Sequence, residues 1–443
     1  MTDRGSTIRP NVLLIFMDDM THWALRSDQV ITPNLDRLRN RGTTFTHAFN
    51  QGSMNEAVCL PARQMLLSGL TVFHADRRFL DVPRLGRALT DAGYDTYFTG
   101  KWHNEPEALH ADYATVGPWG GSMFDSTEVK GQAYYRPSPG NMWDPADTSL
   151  GGHWLKLPDG RVQHSSERWT EVALDFLAKP HEDQPFFLHL AYHAPHDPRQ
   201  APAEYLALYE PSEIELPPNF MAAHPFDNGE LDVRDEWLAP LPRTPEAIQV
   251  HRHEYFAILT HVDAQIGRVL DAIDLENTLV VFSGDHGLAL GEHGLLGKQN
   301  PYDHSIRVPL VLAGPGVPEG ATQDALVYSG SIYPTICGLL GVPAPEHIEF
   351  DSLVGLLGDA TDRQGEVFGA YKTYQRLVRT QRHKLIEYPG RSHHQLFDLD
   401  QDPWELDNRY DDAELAVVRE ELTQRLRALQ DDLDDPLLSL DPG

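Results

Sequence analysis

The sequence has few cysteines and no long hydrophobic run. Two cysteines in 443 residues, Cys59 and Cys337, exclude the disulfide framework that holds many small secreted domains together. No segment reaches the roughly 20 continuous apolar residues that a membrane-spanning helix needs. The N-terminal segment Met1–Pro10 lacks the apolar core of a signal peptide, and the following run, Val12–Met17, is too short to be one. We therefore expect a cytoplasmic protein without a membrane partner.

Basic residues are also scarce. The 36 lysines and arginines stand against 66 aspartates and glutamates, which gives a formal net charge of −30. Such a charge disfavours nucleic acids and anionic membranes as partners. A small anionic substrate is not excluded, because salt screens surface charge beyond about 8 Å and cations inside a cleft then set the local potential. The chain is long enough for one large domain and a smaller one.

Five continuous apolar runs predict strands that are buried on both faces. Helical patterns lie between them, and this alternation is typical of an α/β fold with a large mixed, mostly parallel sheet flanked by helices. The apolar runs cover residues 11–17, 94–98, 185–192, 278–282 and 308–312, and the helical patterns cover 33–41, 82–92, 166–178 and 254–273.

The pattern changes after about residue 362. Four short segments there predict an antiparallel sheet, and residues 411–433 predict an amphipathic helix. We therefore predict a large domain over residues 9–361 and a small α+β subdomain over residues 362–443. Residues 105–165 and 197–250 show little periodicity and are predicted to be long loops that could wall a substrate site. The four predicted strands are 366–370, 375–380, 384–388 and 395–399.

Cys59 stands at the start of a predicted helix. Pro61 suits a first helical turn, Gly69 suits a helix end, and Arg63 lies one turn after Cys59 on the same face. A helix N-terminus attracts anions and lowers the pKa of a thiol. These residues bring a nucleophile, a cation and a helix N-terminus together, although a lone cysteine is more often a small buried hydrophobe. That simpler interpretation is preferred for Cys337.

Acidic residues follow two of the predicted strands. Asp18 and Asp19 come directly after the first apolar run, and Asp285 and His286 follow the run at 278–282. Ligand sites of open α/β sheets lie beyond the carboxyl ends of the strands, so these side chains are expected to meet at one edge. Three carboxylates with a histidine predict a site for a hard divalent cation.

The segment Cys59–Arg63 reads Cys-Leu-Pro-Ala-Arg and resembles the Cys-x-Pro-x-Arg motif of the type I sulfatases, a family of the alkaline-phosphatase superfamily. The resemblance runs from about Arg9 to the C-terminus, and around Asp285 it is strongest to members related to choline sulfatase and the iduronate sulfatases. It implies an alkaline-phosphatase-like fold with residues 9–361 as the catalytic domain. It also implies that the formylglycine-generating enzyme oxidises Cys59 to formylglycine, whose hydrated aldehyde is the nucleophile.

The resemblance also assigns roles to the remaining site residues. It implies Ca²⁺ at the carboxylate cluster, with Mn²⁺ or another divalent ion as an alternative because a histidine ligand is softer than the amide of many members. Lys101, His196 and Lys298 would bind the sulfate group, and His196 would also protonate the leaving group. His103 would hold the diol and later take its proton. The implied metal ligands are Asp18, Asp19, Asp285, His286 and Cys59, and the implied catalytic residues are Cys59, Arg63, Lys101, His103, His196 and Lys298.

Other histidines and tryptophans receive more general interpretations. His193 is expected to support the site from behind, whereas His293 and His304 are expected to be solvated loop residues. Trp23 and Trp102, together with the aromatic-rich 105–165 loop, could form a wall for a sugar, although packing is the commoner role of a tryptophan.

These observations predict a sulfatase that releases sulfate from a monoester, with a sulfated saccharide as the default substrate and a small sulfate ester as the second choice. Hydrolysis of phosphonate monoesters or phosphodiesters at the same site stays open, because their reacting groups also carry a single negative charge. A thiol hydrolase that uses unmodified Cys59 is disfavoured, since three nearby carboxylates oppose a thiolate. A catalytically silent anion-binding protein is disfavoured because every catalytic position is filled.

Overall fold

The computed structural model describes residues 9–121, 134–138, 143–181, 184–358 and 365–439. Sixteen strands and eleven α-helices lie within these ranges, joined by short 3-10 turns. The strands are β1 (Asn11–Asp18), β2 (Gly42–Phe49), β3 (Gly52–Ser53), β4 (Asp95–Lys101), β5 (Thr115–Gly120), β6 (Trp154–Lys156), β7 (Val162–His164), β8 (Phe186–Pro195), β9 (Thr278–Gly284), β10 (Arg307–Ala313), β11 (Ala321–Gln323), β12 (Val327–Tyr328), β13 (Val367–Tyr371), β14 (Gln375–Arg379), β15 (His383–Glu387) and β16 (Gln395–Asp398). The helices are α1 (Pro33–Asn40), α2 (Cys59–Ser68), α3 (Val72–Arg78), α4 (Leu85–Asp91), α5 (Pro106–Asp112), α6 (Ser165–Leu177), α7 (Ala203–Leu206), α8 (Pro245–Leu270), α9 (Asp303–Ile306), α10 (Ile332–Leu340) and α11 (Ala416–Asp432).

A nine-stranded mixed sheet forms the centre of the molecule. Its order is β11-β2-β10-β9-β1-β8-β4-β5, with β12 also beside β2. The five strands from β9 to β5 in this order run parallel to one another, whereas β10 is antiparallel to both of its neighbours. The predicted large, mostly parallel sheet is therefore confirmed. Strand β2 was not predicted, because its threonines and histidine interrupt the apolar run that marks the other inner strands.

Helices cover both faces of this sheet. Successive side chains of β1 point to opposite faces, so Leu13 and Ile15 pack towards one core and Val12 and Leu14 towards the other. The first core is closed by α1, α6 and the long helix α8, and the second by α2, α4, α5 and α10. Helix α8 begins earlier than the apolar periodicity predicts, because Pro245 occupies its first turn and the Thr244 side chain accepts a 3.2 Å hydrogen bond from the Ala247 amide.

The predicted C-terminal sheet and helix are present. Strands β13 to β16 form successive antiparallel pairs, and α11 packs Leu422 and Leu426 against them. Strand β3 extends this sheet by pairing in parallel with β13, so Gly52 and Ser53 belong to it although they lie early in the chain. The boundary predicted at residues 361 and 362 falls within 359–364, outside the described residues.

The two predicted loop regions contain some regular structure. Helix α5 and strand β5 lie within 105–165, and β5 forms one edge of the large sheet. Residues 197–250 run mainly as irregular chain with short helical turns and bring several charged side chains to the carboxyl end of the sheet. Among the described residues, no helix combines the length and the apolar character needed to cross a bilayer.

Candidate active site

Cys59 is the first residue of α2, as predicted, and the helix ends before Gly69, whose φ of 72° suits a glycine. The cysteine is only 3% exposed. Its Sγ lies 3.0 Å from Nδ1 of His103 and 3.8 Å from Nζ of Lys101. Lys101 is the last residue of β4, and His103 follows it by two residues. The thiol therefore faces an imidazole and an ammonium group at the carboxyl edge of the sheet.

The acidic residues that follow β1 and β9 meet as predicted. The two strands are parallel neighbours with Met17 opposite Gly284, which brings Asp18 and Asp285 side by side. Asp19 adopts a positive φ of 66°, and its amide donates a 3.1 Å hydrogen bond to Oδ1 of Asp285. Successive side chains of a strand normally point to opposite faces of the sheet. The positive φ of Asp19 changes this direction, so the side chains of Asp18 and Asp19 both point towards the cluster.

Three buried cations surround this cluster. Arg63 donates a 3.2 Å hydrogen bond from Nε to Asp285 and another of 3.2 Å from Nη1 to the Lys101 carbonyl. Lys101 pairs with Asp18, and Lys298 pairs with Asp19 at 2.7 Å. Each of the three carboxylates is therefore paired with one cation. Arg63 belongs to the same helix as Cys59, whereas Lys101 and Lys298 come from other parts of the chain.

Several ligand atoms of the cluster make no hydrogen bond to the described residues. Oδ1 of Asp18, Oδ2 of Asp19 and Nε2 of His286 are buried and make no hydrogen bond to any described residue. Ligand atoms of Asp18, Cys59, Asp285 and His286 lie within 4.8 Å of one another. Burial and the neighbouring charge of Asp18 raise the pKa of Asp285 well above its usual range. A divalent cation would relieve this repulsion and use the orphaned atoms, so the residues fit a metal.

His196 lies across the cluster from Cys59. Its Nε2 is 3.9 Å from Oδ2 of Asp19, and its Nδ1 is 2.8 Å from the carbonyl oxygen of Asp197. Burial lowers the pKa of His196, and burial together with the charge of Lys101 lowers that of His103 to about 3. Both imidazoles are therefore neutral in the folded protein near neutral pH.

A cavity of about 430 Å³ opens above Cys59. Besides Cys59, the predicted residues His103, His196 and Lys298 line it. The rest of the lining includes acidic and aromatic residues that the sequence analysis did not single out. Arg234 bridges Asp197 and Asp235, and the Asp232 side chain accepts a 2.9 Å hydrogen bond from the Trp237 indole. The lining residues are Glu56, Ala57, Cys59, His103, His196, Glu230, Asp232, Val233, Arg234, Asp235, Trp237, Lys298 and Gln299.

Some expectations for individual residues are corrected. His293 and His304 are buried rather than solvated, because the loop after β9 folds back under residues 217–224. Trp102 is a core residue beside Phe98 and does not form a wall of the cavity, and Trp23 does not line it either.

The part of the 105–165 loop at 122–133 and 139–142 lies outside the described residues. His193 is buried behind the site, where its Nδ1 accepts a 3.2 Å hydrogen bond from Trp169, as expected.

Two family models match this chain. The sulfatase model covers residues 10–342, and a model described as the C-terminal part of N-sulphoglucosamine sulphohydrolase covers residues 291–432. The first match spans the large sheet with all the site residues described above, and the second reaches through the C-terminal sheet to the end of α11.

Curated proteins and solved structures agree with these matches. The chain is 30% identical to a sulfatase of Formosa agariphila over 79% of its length and 73% of that protein's, and 29% identical to mouse iduronate 2-sulfatase over 76% and 69%. A structure solved with its substrate D-glucosamine-2-N,6-O-disulfate has a TM-score of 0.75 at 23% identity and covers 96% of this chain and 98% of that one. The phosphonate monoester hydrolase of Agrobacterium radiobacter has a TM-score of 0.74 at 23% identity, covering 97% of each. The chain belongs to the sulfatase family, within the alkaline-phosphatase superfamily, and is a sulfuric ester hydrolase.

Proposed function

We propose that the protein hydrolyses a sulfate monoester of a carbohydrate to an alcohol and inorganic sulfate, using a formylglycine formed from Cys59 and a divalent metal ion. The observation that carries the proposal is the position of Cys59, within 3.8 Å of Lys101 and beside the carboxylate cluster at the floor of the cavity. The family membership supports the same reaction. Ca²⁺ is the proposed ion, held by Asp18, Asp19, Asp285 and His286 with position 59.

The buried cations would stabilise the transition state. When bound, the metal would act as a Lewis acid on the sulfuryl oxygens, and the formylglycine diol would supply the attacking oxygen. Lys101 and Lys298 reach into the site from two sides, so they would neutralise charge on the sulfuryl oxygens. Arg63 is fixed by Asp285 and the Lys101 carbonyl, and it would keep the group at position 59 in a cationic environment.

The two histidines would handle protons. Nδ1 of His196 donates its hydrogen to the Asp197 carbonyl, so Nε2 of the neutral ring carries no proton. His196 would therefore bind a second proton, on Nε2, when the anionic substrate enters, and deliver it to the departing alcohol oxygen. Because burial lowers its pKa, His196 would release this proton readily. Nδ1 of neutral His103 lies 3.0 Å from Sγ of Cys59, so it would accept a proton from the group at position 59 when sulfate leaves.

The alcohol part of the substrate would occupy the outer cavity. Trp237 is 40% exposed and its indole is oriented by Asp232, which suits stacking on a sugar ring. Carboxylates of the same wall would accept hydrogen bonds from hydroxyl groups. Some relatives, such as iduronate 2-sulfatase, are named for a sulfated sugar, which supports a sulfated saccharide as the substrate.

The test is a paired assay of the purified protein with an aryl sulfate and an aryl phosphonate monoester, in the presence of Ca²⁺ or Mn²⁺. We expect preferred sulfate release, together with a mass loss of about 18 Da on the peptide that contains Cys59, as conversion of a thiol to an aldehyde requires. Preferred phosphonate cleavage would instead favour a phosphonate monoester hydrolase. Turnover with an unmodified Cys59 would contradict the formylglycine mechanism.

A further inference from the structure

A second cavity, of about 490 Å³, shares no lining residue with the one above Cys59. It lies between the turn after β1, the 215–219 segment, α8 and the turn at 403–405. Trp404, which is 39% exposed, stands at its rim, so the cavity opens to solvent. Its volume is in the range of small-molecule sites.

Arg252 of α8 lies in the wall of this second cavity with N–H groups that have no hydrogen-bond acceptor among the described residues. The residue is 5% exposed, and its guanidinium carbon lies 4.8 Å from the centre of the Trp23 ring and 5.4 Å from that of Phe256. Among the described residues, its Nε and Nη1 have no hydrogen-bond partner and no carboxylate forms an ion pair with it. A buried guanidinium without an acceptor is costly, and an oxyanion is the group that its N–H fork accepts best.

Other polar atoms in the same cavity are also unsatisfied. Glu292 receives a 3.0 Å hydrogen bond from Asn219 on Oε2, but its buried Oε1 has no partner among the described residues. Both ring nitrogens of buried His304 likewise lack a hydrogen bond there, although Nδ1 lies 3.6 Å from Glu292. The cavity therefore offers donors for an oxyanion, acceptors for hydroxyl groups, and indole faces at Trp23 and Trp404.

We propose that this cavity is an accessory site for an anionic sugar, with the oxyanion on Arg252, hydroxyl groups on Glu292 and His304, and the ring against Trp23 or Trp404. A carboxylate or a sulfate group would supply the same oxyanion chemistry. The site is separate from sulfate hydrolysis, so its test does not depend on turnover.

The probe is D-glucuronate, with D-glucose and sodium sulfate as separate arms, measured by titration calorimetry and by thermal unfolding of the full chain. We expect glucuronate to bind one site per chain, and glucose to bind roughly tenfold more weakly or not at all. The sulfate arm uses Lys298→Met, which lacks one of the residues proposed to bind sulfate above Cys59, and there sulfate should bind roughly tenfold more weakly than glucuronate or not at all. No glucuronate binding at millimolar concentration would overturn the proposal. Equal binding of glucose would overturn the role of the oxyanion, and equal binding of sulfate and glucuronate to Lys298→Met would overturn the assignment to a sugar.

Arg252→Met is the decisive variant. It should weaken glucuronate binding roughly tenfold or more, and it should also raise the unfolding temperature of the ligand-free protein, because buried N–H groups without an acceptor are removed. A purely structural arginine would give neither result. Arg26→Met, which removes a charge from the exposed rim of the same cavity, is the matched control and should bind nearly as well as the parent.

Two more variants test whether glucuronate binds above Cys59 instead, and whether the result with Arg252→Met reflects misfolding. Lys298→Met should still bind glucuronate, and a loss of binding there would place the sugar in the cavity above Cys59 and overturn the proposal. If Arg252→Met does not fold, Arg252→Lys replaces it. This variant keeps the charge but not the N–H fork, so unchanged glucuronate affinity would contradict the proposed contact.

Discussion

Lys298 donates a 2.7 Å hydrogen bond to Oδ1 of Asp19, and both side chains are buried. The pair joins the turn after β1 to the long loop after β9. Burial alone would lower the pKa of Lys298, but the charge of Asp19 holds it well above its usual range. Lys298 is therefore a fixed cation at the mouth of the carboxylate cluster.

Replacing this cation should impair catalysis. We expect Lys298→Met to lower kcat/KM for an aryl sulfate by about 100-fold or more, the usual cost of losing one preorganised charge at a transition state. Steady-state kinetics measure the effect, and Lys156→Met, at an exposed position, is the control. A Lys298 variant with the parental kcat/KM would remove this residue from the proposed mechanism.

The two cysteines provide a matched pair. Cys59→Ser should abolish turnover and labelling by an aldehyde-reactive hydrazide, because serine lacks the thiol that the formylglycine-generating enzyme would oxidise. Cys337→Ser should retain both turnover and labelling, since Cys337 lies in α10 and is buried in the hydrophobic core. Labelling that persists in Cys59→Ser would show that the aldehyde lies elsewhere.

Removal of divalent ions should weaken the folded state. Without a cation, the buried carboxylates of Asp18 and Asp285 repel each other, which is why the pKa of Asp285 is raised by burial and by Asp18. We expect chelation to abolish activity and to lower the free energy of unfolding, and Ca²⁺ at about a hundred times its Kd to restore about 2.7 kcal/mol. Urea unfolding with and without the ion measures this. In Asp285→Asn the gain from Ca²⁺ should shrink, and an equal gain would argue against the cluster as the metal site.

Acid should destabilise the protein through its buried histidines. Burial lowers the pKa of His189 and of His251 to about 3 and that of His153 to about 4, whereas an unfolded histidine titrates near pH 6.5. Because the unfolded chain then binds more protons, stability is fully present above about pH 6.5 and falls as the pH approaches 4. Urea unfolding at about pH 7.5 and about pH 5 should show the loss.

A single histidine tests this prediction further. His189→Gln should reduce the difference between the two pH values by about 2 kcal/mol, the linkage expected for one group titrating only in the unfolded state. The exposed His110→Gln is the control and should leave the difference unchanged. A His189 variant with the parental pH dependence would contradict the assignment.

A buried ion pair joins the C-terminal sheet to the turn after α11. Arg376 donates 2.6 and 2.8 Å hydrogen bonds to Asp435, and both side chains are fully buried. Asp435→Asn would leave the guanidinium without its counterion and should cost about 3 kcal/mol in the free energy of unfolding. The neighbouring Asp434→Asn, at an exposed carboxylate, should cost much less. Equal losses of unfolding free energy in the two variants would show that the buried ion pair contributes no more to stability than the exposed carboxylate of Asp434.

Much of this site follows from the sequence because its residues adjoin regular elements. Asp18 and Asp285 terminate apolar strands, and Cys59 opens a helix with Pro61 and Gly69 at the expected places. Parallel pairing then brings the two strand ends together without further information. Lys101 directly ends β4, so the same rule places it at this edge.

The missed features depend on tertiary contacts that leave no local pattern. Arg234 and Asp235 lie in a segment with no hydrophobic period, and only the folded chain brings them over Cys59. The antiparallel direction of β10 is likewise invisible, because an apolar strand reads the same in either orientation. His293 and His304 resemble solvated loop residues until residues 217–224 cover them.

The pairing of β3 with β13 affects how the protein is made. Backbone hydrogen bonds of 3.0 and 2.7 Å join Gln51 and Ser53 to Ala370 and Lys372, a short distance before Cys59 in the chain. A ribosome releases Cys59 long before it releases Ala370, so the segment that precedes this cysteine lacks its final partner during most of synthesis. Any enzyme that modifies Cys59, which is 3% exposed once the chain is folded, therefore has its best access to the nascent polypeptide.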